Sequence, residues 1–409
     1  MTVPTVSEQT TRKTKWALFL TGLLNEPLIG LIAILPFILR KDLHASAFQI
    51  SIFNMLKPAV ALLSFYWGAM LWRNKNKLRS NWIMSKVLAS LPFLIFPFVQ
   101  NIWFFIIGTA LFYFFQRGGM PAQMEVLKQN VPSGQRENFF SWSSAFNFLG
   151  GVLIGGSLSL SINDHDWKML FLMSAAIGFL AVILQARVPI DPSKIKEEPS
   201  KKNPLITPWK DSWNLLRQRP DFARFQMGFM MGGIGLMLTM PAMVLYAADD
   251  LAISHIDMTM SRFVWMGLGF VVATPFWRKK IALQGIYRLT AIVCVFFVIS
   301  IFCWMMAGWG LAWFFIAFFF YGVSQAGSYL IWHLSGPLFA GSGDSSLFST
   351  VNILTVGLRG LIVPFMASLL CDWIGPLPVL AMGLMWCLAG AVYLFAQKQE
   401  ITHAANTAI

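Results

Sequence analysis

An all-α membrane protein of twelve spanning helices is what this sequence predicts, and three observations predict it. Apolar runs of helical length recur from Trp16 almost to the end of the 409 residues. Charged residues make up only 12% of the chain, against about 25% in an ordinary soluble protein, and the mean hydropathy is +0.62. Lys and Arg gather in the short connections between apolar runs, alternating between a basic and a less basic side. A spanning helix needs about 20 apolar residues. Strands are not expected, because an open sheet edge cannot face lipid.

The spans fall in order at 16–39, 49–72, 81–99, 102–124, 139–161, 168–187, 222–247, 259–277, 285–306, 309–333, 347–371 and 376–397. The first follows a polar start, "MTVPTVSEQTTRKTK", and carries Glu26, so it reads as a retained span and not a cleaved signal peptide. Between the sixth and seventh lies "VPIDPSKIKEEPSKKNPLITPWKDSWNLLRQRPDFARF". Its Pro, Lys and Glu content marks a linker, with room for an interfacial helix at 208–219. The chain therefore divides into an N-terminal six-helix half at 1–187, a linker at 188–221 and a C-terminal six-helix half at 222–409. "WRNK" at 72–75 after the second span and "WRKK" at 277–280 after the eighth form a short repeat between the halves.

The net charge of +13 follows the positive-inside rule and does not call for nucleic acid. One side receives Arg12, Lys13, Lys15, "RNKNKLR" at 73–79, the 125–137 connection, the linker and "RKK" at 278–280. The other receives little beyond Arg40, Lys41, Lys168 and Arg262. The first side is cytoplasmic, with both termini inside, in what we expect to be a bacterial inner membrane. A cysteine placed at Ser200 should stay unlabelled by an impermeant maleimide in sealed cells that lack the native cysteines. Labelling there would reverse the orientation. Cys294, Cys303, Cys371 and Cys387 lie in or at the ends of apolar spans without metal-ligand spacing, so they read as small core residues. No metal or cofactor is expected, and no G-x-x-x-x-G-K-[ST] motif supplies an ATPase.

The charges inside spans carry the functional information. In "FYFFQRGGMP", Arg117 sits deep in an apolar and aromatic run that holds no other charge from Ile102 to Glu125. An ionisable group at that depth points to a functional site. Glu26 lies mid-span in span one, Lys57 in span two and Arg359 in span eleven. Each shares a helical stripe with polar or small residues. Gly22, Glu26, Gly30 and Ala33 run together in span one, with Pro27 freeing a backbone carbonyl beside the acid. Asn54, Lys57, Ala61, Ser64 and Gly68 do so in span two. Tyr113, Gln116, Arg117 and Met120 are neighbours in span four, and Asn352, Thr355 and Arg359 in span eleven. Lys86 and Arg288 lie near cytoplasmic ends, where long side chains snorkel.

Several stretches resemble the major facilitator superfamily. "YWGAMLWRNKNKLR" is similar to that family's loop between spans two and three, with Gly68 and Arg73 in register and Trp72 where the family usually has Asp. "NFLGGVLIGG" resembles its G-x-x-x-G-P-x-x-G-G pattern in span five: Gly151, Gly155 and Gly156 match, Asn147 replaces the first glycine and Val152 the proline. "MPAQMEVLKQNVPSGQREN" resembles the connection after span four, and "DWKMLFLMSAAIGFLAVIL" span six. The small residues have a physical reading too, because they let helix backbones approach closely in lipid.

The resemblance implies a central cavity lined by spans 1, 2, 4, 5, 7, 8, 10 and 11. Glu26, Lys57, Arg117 and Arg359 all fall on lining spans. A structural ion pair between Glu26 and Lys57 or Arg117 absorbs one cation and leaves two. Surplus positive charge must meet carbonyls, water or an anion. We therefore expect a secondary active transporter, acting as a monomer by alternating access, for a small organic anion: a carboxylate, a phosphorylated metabolite or a polycarboxylate chelate. The substrate-binding candidates are Arg117, Arg359, Lys57, Asn54, Tyr113, Gln116, Asn352 and Gln325. Glu26 is the proton-coupling candidate, and Gly68, Arg73, Gly151, Gly155 and Gly156 are gating or structural. A proton-linked exporter of cationic drugs would favour several cavity carboxylates, and the altered span-five pattern also speaks against it. A receptor or scaffold would call for larger extramembrane domains. An intramembrane enzyme lacks any paired acids or nucleophile–base set.

Overall fold

The computed structural model describes residues 8–72, 78–132, 135, 139, 142–143, 146–147, 150, 167–190, 206–340 and 346–397. Among these residues helices dominate and no strand occurs. In chain order the helices are α1 (Glu8–Leu43), α2 (Ala47–Trp72), α3 (Leu78–Ser90), α4 (Ile102–Asn130), α5 (Trp167–Ala186), α6 (Thr207–Gln218), α7 (Pro220–Leu245), α8 (His255–Met260), α9 (Met266–Met306), α10 (Leu311–Ala340), α11 (Ser346–Ile374) and α12 (Pro376–Ala396).

Nine segments among the described residues are long and apolar enough to cross a membrane. They stand where the sequence places spans one, three and six to twelve. The eighth and ninth are His255–Trp277 and Gly285–Trp309, which join within α9 at Gly285. Its φ of 68° is a left-handed conformation that glycine adopts without a Cβ penalty. Helices α2 and α4, of 26 and 29 residues, occupy the second and fourth expected spans. At 1.5 Å per residue each reaches about 39 Å or more, enough to cross. Both carry polar residues mid-length, Asn54 and Lys57 in α2 and Gln116 and Arg117 in α4. The expected fifth span, 139–161, lies mostly outside the described residues.

The chain forms two compact units. The first comprises Met1–Lys202 together with Ile253–Val264, and the second Asn203–Ala252 with Trp265–Ile409. In the first, α1 packs on α5, and α4 packs on both α2 and α3. Trp82, Leu78, Ala122, Val126 and Ala17 form a buried cluster between α1, α3 and α4. Thr11 donates to the Asn130 carbonyl at 2.9 Å, and Asn130 donates to that of Pro189 at 2.8 Å, so the chain ends of α1, α4 and α5 are tied together. At the other end Phe93, Phe96, Phe105 and Phe171 are fully buried and in edge or tilted contact.

In the second unit α9 packs on α10 and α12, and α7 on α12 and α11. Small residues make the α7–α12 seam tight: a Cβ added at Gly390 would sit 2.7 Å from the Gly232 nitrogen. Helix α6 is the helix expected in the linker; Ser212 and Leu215 are buried while Trp209 and Trp213 are exposed. Arg219, between α6 and α7, makes a two-pronged contact with Asp221, Nε to Oδ1 at 3.0 Å and Nη2 to Oδ2 at 2.7 Å. Those bonds hold the Arg219 guanidinium above the usual arginine range. All four cysteines are free and buried, as small core residues should be.

Three of the four cations expected on the less basic side have local partners. Arg40 donates to the Ala45 carbonyl at 2.8 Å, closing the end of α1. Lys41 reaches the Ile253 carbonyl at 2.5 Å, and Lys168 that of Val99 at 2.9 Å. The fourth, Arg262, takes part in the site described next.

Candidate functional site: two polar clusters inside the helices

The larger cluster belongs to the first unit. Helix α1 supplies Glu26, half-buried, one residue before Pro27. Its electrostatic neighbours are Arg262 and Lys57. Lys57 sits mid-helix on α2 and feels Arg117 and Arg262 as well as Glu26. Arg117 on α4 is half-buried. Among the described residues no carboxylate pairs with it, and its polar contact is the Met120 sulfur at 3.9 Å from Nη1. Tyr113, one turn earlier, also feels Arg262. Gln116 lies beside it, half-buried. Asn54 is one turn before Lys57, and its amide nitrogen is buried without a hydrogen-bond partner among the described residues. The unit thus brings Glu26, Asn54, Lys57, Tyr113, Gln116 and Arg117 onto three helices, with one carboxylate facing several cations.

Arg262 was not among the sequence candidates. It stands near the start of the eighth expected span, where a cation reads as a flanking charge. The helix begins earlier than expected, at His255, because Ser254 caps it: the Ser254 hydroxyl accepts from the Asp257 amide at 3.0 Å. Arg262 therefore lies about two turns inside the helix. A π-helical turn at Ser261–Trp265 surrounds it, a feature frequent at functional sites. The signal in the sequence was "SHID" at 254–257, a serine followed three residues later by an acid.

The other cluster lies in the second unit, between α7, α10 and α11. Asn352 accepts a close hydrogen bond from Gln226 and donates to Ser335 Oγ at 2.8 Å. Thr355 faces Gln226 Oε1 at 3.5 Å. Arg359, only 7% exposed, donates from Nη1 to the Phe229 carbonyl at 3.0 Å and lies 5.5 Å from the Phe229 ring. Its Nε is buried without a partner among the described residues. Among the described residues, backbone carbonyls and not a carboxylate meet this cation. The fit requires Gly233, since any Cβ there would fall on the guanidinium. Gln325 on α10 is half-buried. Arg73, Gly151, Gly155 and Gly156 lie outside the described residues, and the surroundings of Gly68 do as well.

Gly233→Ala should displace Arg359 and lower stability by about 2 kcal/mol or more, the cost of stranding a buried donor. The denaturation midpoint of the purified chain measures it. Adding Arg359→Met should recover part of the loss, because no guanidinium is then left to strand.

These clusters sit in a helical framework with identifiable kin. The Major Facilitator Superfamily profile matches residues 18–342. The chain belongs to the major facilitator superfamily. The nucleoside transporter NupG has the same fold: a mutant form superposes with a TM-score of 0.71 at 13% identity, covering 94% of this chain and 99% of that one. Its unmutated form gives 0.69 at 13%, with 94% and 100% covered. A bacterial homologue of the human lysosomal transporter Spinster, inward-facing and unoccupied, gives 0.62 at 15% identity, with 95% of each chain covered. No curated protein sequence matches the chain. The family makes this a multi-pass integral membrane transporter of a small molecule. At these identities the structural likeness shows the fold alone.

Proposed function

We propose that the protein is a secondary active transporter for a small organic anion, coupled to protons through Glu26. The observation that carries this is Arg117: a half-buried guanidinium on a spanning helix, with no carboxylate paired to it among the described residues. Lys57 and Arg262 add positive charge to the same cluster, and Glu26 can neutralise only one of the three. Asn54 offers a buried donor still to be satisfied. A carboxylate or phosphate ester would supply acceptors for all of these, and Arg favours such groups by giving two parallel hydrogen bonds. Tyr113 and Gln116 would complete the recognition. Arg359 and Asn352 already have protein partners, so their part is to hold α7 against α11. The chain would comprise two six-span halves, 1–187 and 222–409, joined by a cytoplasmic linker and working as a monomer in a bacterial inner membrane by alternating access.

A thermal-shift panel on the purified chain tests the substrate class, because a ligand that binds only the folded state raises its apparent stability. Mono-, di- and tricarboxylates and phosphate esters should include stabilising ligands. Uncharged nucleosides, the substrate class of the transporter whose fold it shares, should leave the melting temperature unchanged. Stabilisation by nucleosides or organic cations alone would overturn the anion reading.

A further inference from the structure

We infer that the start of α1 and the chain just after α4 form a binding site for one anionic phospholipid. Its phosphate would sit on Arg12 and Lys15, and the first part of an acyl chain on Phe19, Trp142 and Phe146. The inference concerns a resident lipid and is independent of the transported substrate.

Two cavities of the first unit adjoin there and share Lys15 and Trp16. The first, of about 400 Å³, is polar, with Glu8, Arg12, Lys15 and Gln135 in its walls. The second, of about 350 Å³, lies further along α1 and is aromatic, with Trp16, Phe19, Phe139, Trp142 and Phe146 around Ser143. Both have the size of a small-ligand site. Lys15 Nζ donates to Gln135 Oε1 at 2.7 Å, which fixes the ammonium where the two cavities meet. The Thr11 bond to the Asn130 carbonyl ties the helices that carry the walls. In the second cavity Phe19 lies 5.8 Å from Trp16 and 6.1 Å from Phe146, and Trp142 stacks on Phe146 at 5.8 Å. Trp16, Trp142 and Phe146 are 54%, 60% and 47% exposed, so this groove opens sideways. One turn beyond Phe19 it closes. A Cβ on Gly22 would fall on the Asn147 amide, and one on Gly150 on Leu23.

The spacing matches a lipid. Phe19 lies four residues beyond Lys15, about 6 Å along the helix. The headgroup layer of one leaflet is about 5–8 Å deep. With Arg12 and Lys15 at the phosphates, Phe19 therefore reaches the start of the hydrocarbon. Trp16 then lies at the interface, where its ring is favoured. The closure at Gly22 admits only the first methylenes. The rest of the acyl chain runs out over Trp142 and Phe146 into bulk lipid. A soluble anion has no use for this groove. Charge selects the headgroup. Arg12 and Lys15 outnumber Glu8, which stands a turn before Arg12 and farther from the groove, and Lys13 is exposed beside them. A headgroup with net negative charge complements that balance. A zwitterionic one adds a further cation to it.

The test is native mass spectrometry of the full chain in detergent, with phosphatidylglycerol and phosphatidylcholine added in equal amounts. One phosphatidylglycerol should be retained per chain, at least about tenfold in preference to phosphatidylcholine, as two cations at a headgroup would give. Arg12→Gln combined with Lys15→Gln should abolish the preference. Arg12 is exposed and Lys15 half-buried, so the fold should survive, which an unchanged melting temperature without lipid checks. Ser143→Trp, which fills the groove and spares the cations, should cut retention of phosphatidylglycerol about fivefold or more. Lys210→Gln combined with Arg217→Gln on α6 removes the same charge elsewhere and should change nothing. Equal retention of the two lipids overturns the inference. So does a preference that survives the Arg12 and Lys15 change, or one that the α6 change lowers as much. Retention unaltered by Ser143→Trp, or glycerol phosphate retained as well as the lipid, leaves a site for a free phosphate and overturns it too. A dimer in place of the lipid-bound monomer, lost with Ser143→Trp, makes the groove a contact between copies and has the same consequence. No substrate is needed, so failure here is distinct from failure of the anion reading.

Discussion

Replacing Arg117 with Gln should weaken binding of the anionic substrate by more than tenfold, which is about 1.4 kcal/mol or more. The guanidinium is half-buried, and among the described residues no acid stands opposite it. Its removal therefore strands no partner, and the loss falls on the ligand. Arg117→Lys should recover only part, since an ammonium is a point charge without the planar fork. Arg359→Gln should behave differently. That cation is held by the Phe229 carbonyl and fills the space above Gly233. Its loss should lower the melting temperature first and affinity less. Titration of ligand into monodisperse purified variants separates the two. If Arg117→Gln binds as tightly as wild type, the cluster is a structural one.

Glu26→Gln should abolish accumulation driven by a pH gradient while exchange of labelled for unlabelled substrate continues. Glu26 is the carboxylate that α1 places among Lys57 and Arg262. Desolvation and nearby cations act on such a group in opposite directions, so its proton affinity shifts with its surroundings. A neutral amide of the same shape can neither take up nor release a proton. Reconstituted vesicles with an imposed gradient give the first readout and counterflow gives the second. Gradient-driven uptake equal to that of wild type would remove Glu26 from coupling.

The helical framework was legible because hydrophobic length is a direct physical requirement of the bilayer. The ends of α5, α7 and α12 fall close to the apolar runs that mark them, while α10 runs seven residues past its expected end to Ala340. The first unit's cluster was legible for the same reason in reverse. Glu26, Lys57 and Arg117 stand out because charge in an apolar run is costly. What sequence could not give was direction. Arg359 and Asn352 carry the same helical spacing as the residues of the first cluster, yet they bond to Phe229, Gln226 and Ser335, on other helices. Periodicity states which residues share a face and not what that face meets. Arg262 was missed because a cation near a span end is ordinarily an interface residue. The cap at Ser254 moves the helix start, and that changes the depth of everything after it.

The most direct measurement is uptake into proteoliposomes of the best-stabilising compound from the ligand panel, with an inward proton gradient. The account predicts saturable uptake of a carboxylate or phosphate ester that depends on the gradient and falls sharply with Arg117→Gln. Uptake of an uncharged nucleoside or an organic cation, with anions inert and Arg117→Gln fully active, would contradict it.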